Sequence, residues 1–382
     1  MRIAHVANFY GPTSGGLRTT VHALGRGYRE RGHQFLMIVP GISDRHELTE
    51  FGHRVTVRSP IIPMTGGYRV ISRGGAVRRA LARFAPDVLE VSDRTTLRGL
   101  GNWARASDIP SVFFAHERAD GVISANVPSL LRRARPITAL SDWHNRGTHR
   151  RFTTIVCTTD FAGEEFSRIG VATRKVPLGV DLDVFIPSRF DAHLRNSLVA
   201  PNTALILMAS RLSAEKRPDL AIDAVRLLAS QGRAVRLVCV GTGALEAQMR
   251  VLAEDAPADF LGFVSDRDHF ASLLATADVV VAPGPIETFG LAALESLACG
   301  TPVIFNRHSA LSEVVGDAGV AAAGTAEGFA TALAQMLDTD AHDRRDKART
   351  RAESMPWSAT VDALIDIHHD SLRHTRALSR ET

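Results

Sequence analysis

Cysteine is scarce: three residues in 382, Cys157, Cys239 and Cys299. They stand far apart, each in or beside an apolar run, so neither a disulfide framework nor a cysteine-based metal cluster is suggested. Buried free thiols in a reducing cytoplasm are expected instead. No apolar run approaches the ~20 residues needed to cross a bilayer. The opening MRIAHVANFY lacks a basic region followed by an apolar stretch, and it reads as a strand rather than a secretory signal. Aromatics make up only 6% of the chain, too few for the stacking platforms of nucleic-acid binders. The glycine turn after the first strand lacks the G-x-G-x-x-G spacing, which disfavours an NAD-dependent dehydrogenase. Lysine is almost missing, three residues against 42 arginines, so a lysine in a candidate site is notable. No internal repeat or low-complexity segment is evident.

What is present is ordinary globular material, 45% hydrophobic and 23% charged, long enough for two domains with separate cores. The net charge of +4 conceals an asymmetry. Residues 1–175 hold 26 Lys+Arg against 14 Asp+Glu, a net +12, and the remainder holds 19 against 27, a net −8. An anionic partner for the first half alone is implied. Strand and helix patterns alternate throughout. Strands are expected at Arg2–Asn8, Gln34–Val39, Val88–Val91, Val112–Ala115 and Ile155–Cys157, with helices at Leu17–Arg31, Val77–Phe84 and Leu97–Ala106. Residues 176–187, VPLGVDLDVFIP, suit a connection between domains, and the alternation then restarts. Strands Leu205–Ala209, Val235–Val240, Val279–Ala282 and Pro302–Phe305 interleave with helices Pro218–Gln231, Leu245–Glu254, His269–Ala277 and Leu291–Cys299. An amphipathic helix closes the chain beyond Trp357, with Val361, Leu364, Ile365, Ile367 and Leu372 on its apolar side. The pattern predicts an α/β protein of two doubly wound, Rossmann-like domains facing across a cleft.

The most informative stretch is IETFGLAALESLACG at 286–300. A buried strand, Val279–Ala282, is broken by Pro283-Gly284-Pro285, and a helix opens near Leu291. Glu287 falls in the loop and Glu295 about one turn into the helix, with Phe289, Gly290 and Leu291 between them. The free amides that open the helix suit an anion, and a carboxylate on each side suits hydroxyls. A nucleotide sugar combines both features. Arg211 and Lys216 hang from the loop after Leu205–Ala209, where two cations could neutralise a departing diphosphate. An ordinary surface loop is the competing reading, as it is for the Gly15-Gly16 turn and for Gly241 in Val240-Gly241-Thr242-Gly243. Phe263 and Val264, further along the rim, could meet a nucleobase. His116 follows strand Val112–Ala115, where a functional or a structural histidine fits, and Asp93 is either a polar cleft residue or a helix cap. Asp181-Leu182-Asp183 looks like a metal-binding pair but lies in the linker and reads as structural. Arginines cluster at Arg69, Arg73, Arg78, Arg79 and Arg83, at Arg132, Arg133 and Arg135, and at Arg146, Arg150 and Arg151. Either a solvated face or adsorption to an anionic surface accounts for them.

Together these residues resemble the family-4 retaining glycosyltransferases, which have the GT-B fold. The resemblance spans the chain and rests on Glu287 to Glu295 with Phe289-Gly290-Leu291, on Arg211 with Lys216, and on Pro177-Leu178-Gly179-Val180-Asp181 with Phe185. Gly15-Gly16 and His116 fall at matching places. It implies an acceptor-binding domain at 1–178, completed by a helix at 358–382, and a nucleotide-sugar-binding domain at 179–357. It implies catalytic roles for His116, Arg211, Lys216 and Glu287. Donor contacts would come from Gly15, Gly16, Gly241, Phe263, Val264, Phe289, Gly290, Leu291 and Glu295 as well. Arg18, Arg73, Arg78, Arg79 and Arg83 would face the acceptor or a membrane. No metal or cofactor is implied beyond the nucleotide-sugar substrate. The strings NFYGPTSGGLRT, LEVSDRTTLR and APGPIETFGLAALESLACGTP are similar to actinobacterial GDP-mannose-dependent transferases acting on phosphatidylinositol mannosides. The implied protein is cytoplasmic and peripheral on the inner face of the plasma membrane, with a lipid acceptor and no nucleic acid. A UDP-sugar-dependent transferase, or a hydrolase or epimerase of the same fold, remains an alternative.

Overall fold

The computed structural model describes residues 1–11, 14–62, 67–120 and 136–381. Arg132, Arg133 and Arg135, one of the three basic clusters, lie outside them. The chain divides into two compact units, Met1–Leu178 with Trp357–Thr382, and Gly179–Pro356.

The first unit runs β1 (Arg2–Ala7), α1 (Gly15–Glu30), β2 (Gln34–Gly41), β3 (Arg45–Thr49), β4 (Gly52–Arg58), α2 (Gly74–Phe84) and β5 (Val88–Ser92). It continues through α3 (Leu100–Ala106), β6 (Ser111–Ala115), α4 (Pro136–His149), β7 (Thr154–Cys157), α5 (Asp160–Ser167) and β8 (Arg174–Lys175). The strands form one sheet in the order β3-β4-β2-β1-β5-β6-β7-β8. All neighbours are parallel except β3, which pairs antiparallel with β4. The central strands are buried at every position except Arg2 of β1, as the near-continuous apolar runs of a doubly covered parallel sheet require.

The second unit runs α6 (Ala192–Leu198), β9 (Ala204–Ala209), α7 (Pro218–Ser230), β10 (Val235–Val240), α8 (Glu246–Leu252), β11 (Ala258–Gly262) and α9 (Arg267–Thr276). Then come β12 (Val279–Ala282), α10 (Leu291–Ala298), β13 (Val303–Asn306), α11 (Leu311–Val315), β14 (Gly319–Ala322), α12 (Ala326–Leu337) and α13 (Ala341–Glu353). Its six strands are all parallel, in the order β11-β10-β9-β12-β13-β14. The three cysteines are buried free thiols, each pushed up to about 12 chiefly by that burial.

After the second unit the chain returns to the first as α14 (Trp357–Glu381). Val361, Leu364 and Ile367 pack among Ile3, Val21, Leu24, Tyr28 and Phe35, so α14 shares with α1 the task of covering one face of the sheet. A charged device sits inside this contact. Glu90, in the middle of β5, is fully buried and accepts hydrogen bonds from His5 (2.8 Å), Tyr28 (2.6 Å) and His368 of α14 (2.8 Å). Burial alone would raise the pKa of Glu90, but the hydrogen bonds and charges of His368 and His5 outweigh it and hold the carboxyl at about 2. A carboxyl held this low stabilises the fold fully above its ordinary value of 4.5 and loses that contribution as pH falls through about 2. Glu90→Gln is therefore expected to cost about 3–5 kcal/mol near neutral pH and to flatten the stability profile between pH 4.5 and 2. Denaturant titrations of both proteins across that range test this, and parallel profiles would refute it.

Candidate active site

In the second unit β9 lies between β10 and β12, so successive crossovers leave it in opposite directions. The loops at the carboxyl ends of β9 and β12 therefore flank a topological switch point, the place where open parallel sheets bind ligands. Lys216 ends the first loop, Glu287 lies in the second, and the two side chains form a short ion pair although they are 71 residues apart. Both are about three-quarters shielded from solvent. Gly284 makes this approach possible: a Cβ there would stand 2.7 Å from the Glu215 carbonyl oxygen. The broken Pro283-Gly284-Pro285 stretch thus seats one loop against the other.

Arg211 pairs with Glu215 at 3.1 Å, and the Ser213 hydroxyl donates to the same carboxylate oxygen at 2.6 Å. Burial works to raise the pKa of Glu215, but the Ser213 hydrogen bond and the Arg211 and Lys216 charges lower it overall. Directly after Lys216, Arg217 holds a left-handed φ of 50° before Pro218 starts α7. A non-glycine residue in that region stores strain beside the site.

Gly290 caps α10 with φ 82°, and a side chain there would collide with Leu311. Leu291 and Ala292 then present the first amides of α10, which have no acceptor within the helix. Phe289 is buried beneath this turn. Glu295, one turn on, is only 5% exposed and pairs with Arg267 at 3.0 Å. Its pKa is raised by burial, an effect that Arg267 partly offsets. Arg267 itself lies 4.6 Å over the Phe185 ring. The sequence reading overlooked Arg267, yet a signal was present: a cation in the first turn of a helix opposes the helix dipole and needs another reason to be there.

Gly241 differs from the expectation of an amide facing a ligand. Its N–H donates to the Gly262 carbonyl at 2.8 Å, completing the sheet instead. Phe263 is 45% exposed just past the end of β11, with Val264 beside it half-buried. Asp181 is structural, accepting the amides of Asp183 and Val184 in a turn.

In the first unit Gly15 and Gly16 are exposed at the amino end of α1, with Arg18 in the same turn. Phe9, earlier in that loop, holds a left-handed φ of 56°. His116 follows β6, its Nε2 2.8 Å from Ser92 Oγ and its ring stacked on Phe114. Burial, reinforced by the charges of His5 and Arg94, lowers its pKa to about 3, so the ring is neutral near pH 7. Asp93 proves to be a cap, accepting from the Leu97 amide and the Thr95 hydroxyl. Arg73 precedes α2 and pairs with Asp44 at 2.7 Å. Arg78, Arg79 and Arg83 line the outward face of α2, opposite the buried Val77 and Leu81. Arg69 is drawn inward, donating to the Ser59 carbonyl. The structure thus joins Lys216 to Glu287 and keeps Glu295 on a separate partner.

Two family models match the chain, "Glycosyltransferase Family 4" over residues 14–184 and "Glycosyl transferases group 1" over 190–355. A curated relative, the GDP-mannose-dependent alpha-(1-6)-phosphatidylinositol dimannoside mannosyltransferase of Mycobacterium tuberculosis, is 46% identical over 96% of this chain and 95% of its own. The chain belongs to glycosyltransferase family 4. This glycosyltransferase is also 32% identical, over 59% of its length and 57% of the relative's, to D-inositol 3-phosphate glycosyltransferase 2 of Catenulispora acidiphila. Among solved structures, sucrose-phosphate synthase from Thermosynechococcus elongatus superposes with a TM-score of 0.77 at 19% identity, covering 97% of this chain and 98% of that one. Anabaena Alr3699/HepE, in complex with UDP and glucose, gives 0.72 at 16% identity, covering 97% and 100%. These likenesses establish the GT-B fold.

The neutral state of His116 is directly testable. Its imidazole C–H resonances are expected to stay constant between pH 5 and 8, because its pKa lies near 3. A titration step inside that window would overturn the assignment.

Proposed function

We propose that this glycosyltransferase moves a mannosyl group from GDP-mannose to a phosphatidylinositol mannoside, with retention of configuration. The observation that carries the reading is the Lys216–Glu287 pair at the switch point of the second sheet. Its specificity is supported by the likeness, over 96% of the chain, to a mannosyltransferase of that donor and lipid class. In this reading Gly179–Pro356 takes the donor, and the first unit with α14 takes the acceptor.

The donor's diphosphate meets Lys216, Arg211 and the opening amides of α10, while Glu287 accepts hydrogen bonds from the sugar hydroxyls and Glu295 from the ribose. Phe263 and Val264 border the base, and Gly15 and Gly16 let the backbone approach phosphate and acceptor. As the bond between the sugar's anomeric carbon and the phosphate oxygen breaks, negative charge grows on the diphosphate. Lys216, largely shielded from water, and the more exposed Arg211 stabilise that charge. The acceptor hydroxyl bonds to the anomeric carbon on the same face and passes its proton to the departing phosphate. A neutral His116 fits this sequence, since it can hydrogen-bond a sugar hydroxyl without placing a cation beside an oxocarbenium-like carbon. The nucleotide sugar is a substrate, and the steps call on no resident cofactor.

The acceptor implies work at a lipid surface. No helix among the described residues is long and apolar enough to cross a membrane. Peripheral adsorption on the inner face of the plasma membrane fits the +12 of residues 1–175. It also fits the exposed Arg78, Arg79 and Arg83, with Arg73 just before them and Arg18 in the first turn of α1.

Lys216→Ala and Glu287→Ala are each expected to lower mannosyl transfer by about 10²–10³-fold while the purified proteins stay folded. Mass detection of the lipid product measures this, and full activity in either variant would sink the assignment. GDP and GDP-mannose are expected to raise the melting temperature where UDP and UDP-glucose do not; protection by uridine nucleotides alone would overturn the donor. Charge reversal at Arg78 and Arg79 is expected to weaken sedimentation with anionic vesicles, and unchanged sedimentation would remove α2 from the membrane surface.

A further inference from the structure

Helix α4 has two unlike faces. Ser141, Asn145 and Thr148 point into the unit and are buried. On the opposite side Leu140 is 50% exposed and Trp143 69% exposed. They are three residues apart and so adjoin on the helix surface. Arg146, and Arg150 directly after the helix ends at His149, continue the same stripe and are exposed. The outward face is therefore apolar toward the amino end and cationic toward the carboxyl end.

Several arginines of this unit have acidic partners, as Arg73 has Asp44, Arg118 has Asp120 and Glu164, and Arg168 has Asp142. Among the described residues no carboxylate lies within ion-pair distance of Arg146 or Arg150. A large exposed apolar pair beside unneutralised cations marks a surface meant to be covered. Tryptophan favours the headgroup level of a bilayer, where its ring is apolar and its N–H is wet. Arginines one and two turns away would then reach lipid phosphates. Complementarity of charge selects the occupant: a sheet of phosphates answers two unpaired cations, in a half-chain of net +12.

We propose that α4 is a membrane-docking element, with Leu140 and Trp143 seated at the headgroup boundary of an anionic bilayer and Arg146 and Arg150 on its phosphates. The proposal rests on the peripheral-membrane reading above, and it assigns the apolar contact that the arginines of α2 do not supply.

The test uses the full chain with vesicles of phosphatidylcholine alone or mixed with phosphatidylinositol. Tryptophan emission of the wild type is expected to shift to shorter wavelength with the mixed vesicles only, and Trp143→Phe is expected to lose the shift. Leu140→Ser with Trp143→Ser should lower vesicle binding on the order of tenfold, while thermal protection by GDP, a measure of the second unit's integrity, stays unchanged. Arg146→Ser and Arg150→Ser should each cost about fivefold at low salt. If the wild type ignores anionic vesicles, both the peripheral reading and this proposal fall. If it binds them, and Arg78→Glu with Arg79→Glu weakens binding, but the α4 variants behave as wild type and emission does not move, only this proposal falls. Loss of self-association in the Leu140 and Trp143 variant, with vesicle binding intact, would make the face a protein interface and also overturn it.

Discussion

The contact between Lys216 and Glu287 is the constraint around which the second unit is organised. The two residues belong to loops far apart in sequence, and only a parallel sheet with β9 beside β12 brings those loops together. An ammonium and a carboxylate that are largely shielded from water hold each other firmly, because neither has enough solvent to satisfy it alone. Gly284 removes the one side chain that would keep the loops apart. Placed so, the pair offers a cation and an acceptor side by side, as a sugar diphosphate requires: charge for the phosphates and an oxygen for the hydroxyls. Neither residue would provide this from a flexible surface loop.

The first unit solves a different problem with the same kind of sheet. Its central strands carry His5 and Glu90 where neighbouring positions are apolar, and those polar groups would be costly if left alone. His368, from the far end of the chain, completes the cluster. The return of the chain as α14 is thus held by hydrogen bonds as well as by Val361, Leu364 and Ile367. An apolar contact alone would tolerate sliding of the helix, whereas the hydrogen bond from His368 to Glu90, a carboxylate that His5 and Tyr28 also hold, fixes its register. The same cluster helps keep His116 neutral, since the charge of His5 adds to the burial of its ring.

How much of this was legible in the sequence varied with the distance over which each signal acts. Strands Val235–Val240 and Val279–Ala282 are found with the bounds read from their apolar runs, because a strand covered on both faces is apolar at nearly every position, Arg236 being the exception in β10. The β3–β4 hairpin was missed, since Arg45–Thr49 is an edge strand of mostly polar residues whose partner supplies the pairing. Helices α4 and α5 were passed over too; the buried face of α4 is made of Ser141, Asn145 and Thr148, which carry no apolar period. At the site, residue type and loop position pointed to Lys216, Glu287 and His116. The partners that tune them, Arg267 at Glu295 and Ser92 at His116, come from separate elements, and local pattern holds no record of such pairings. The acceptor of the Gly241 amide is likewise hidden from local pattern, since it lies on the neighbouring strand.

The distribution of charge differs between the two units. In the second unit arginines are drawn onto nearby acids, as with Arg195 and Asp278, Arg233 and Asp338, or Arg236 and Asp259. Such pairs neutralise the surface and leave the charges at the switch point as the local field that the proposed anionic donor would meet. In the first unit the helices α2 and α4 instead keep Arg78, Arg79, Arg83, Arg146 and Arg150 exposed. Cations spread on an outward surface bind no single small anion well, because each is hydrated and screened within about 8–10 Å at physiological salt. Against an extended array of phosphates the same residues act together, each adding to the attraction. A unit that met only a soluble sugar would gain nothing from that arrangement and would bear its self-repulsion. Excess outward charge on the first unit therefore supports the proposed reading that its acceptor is presented on a surface.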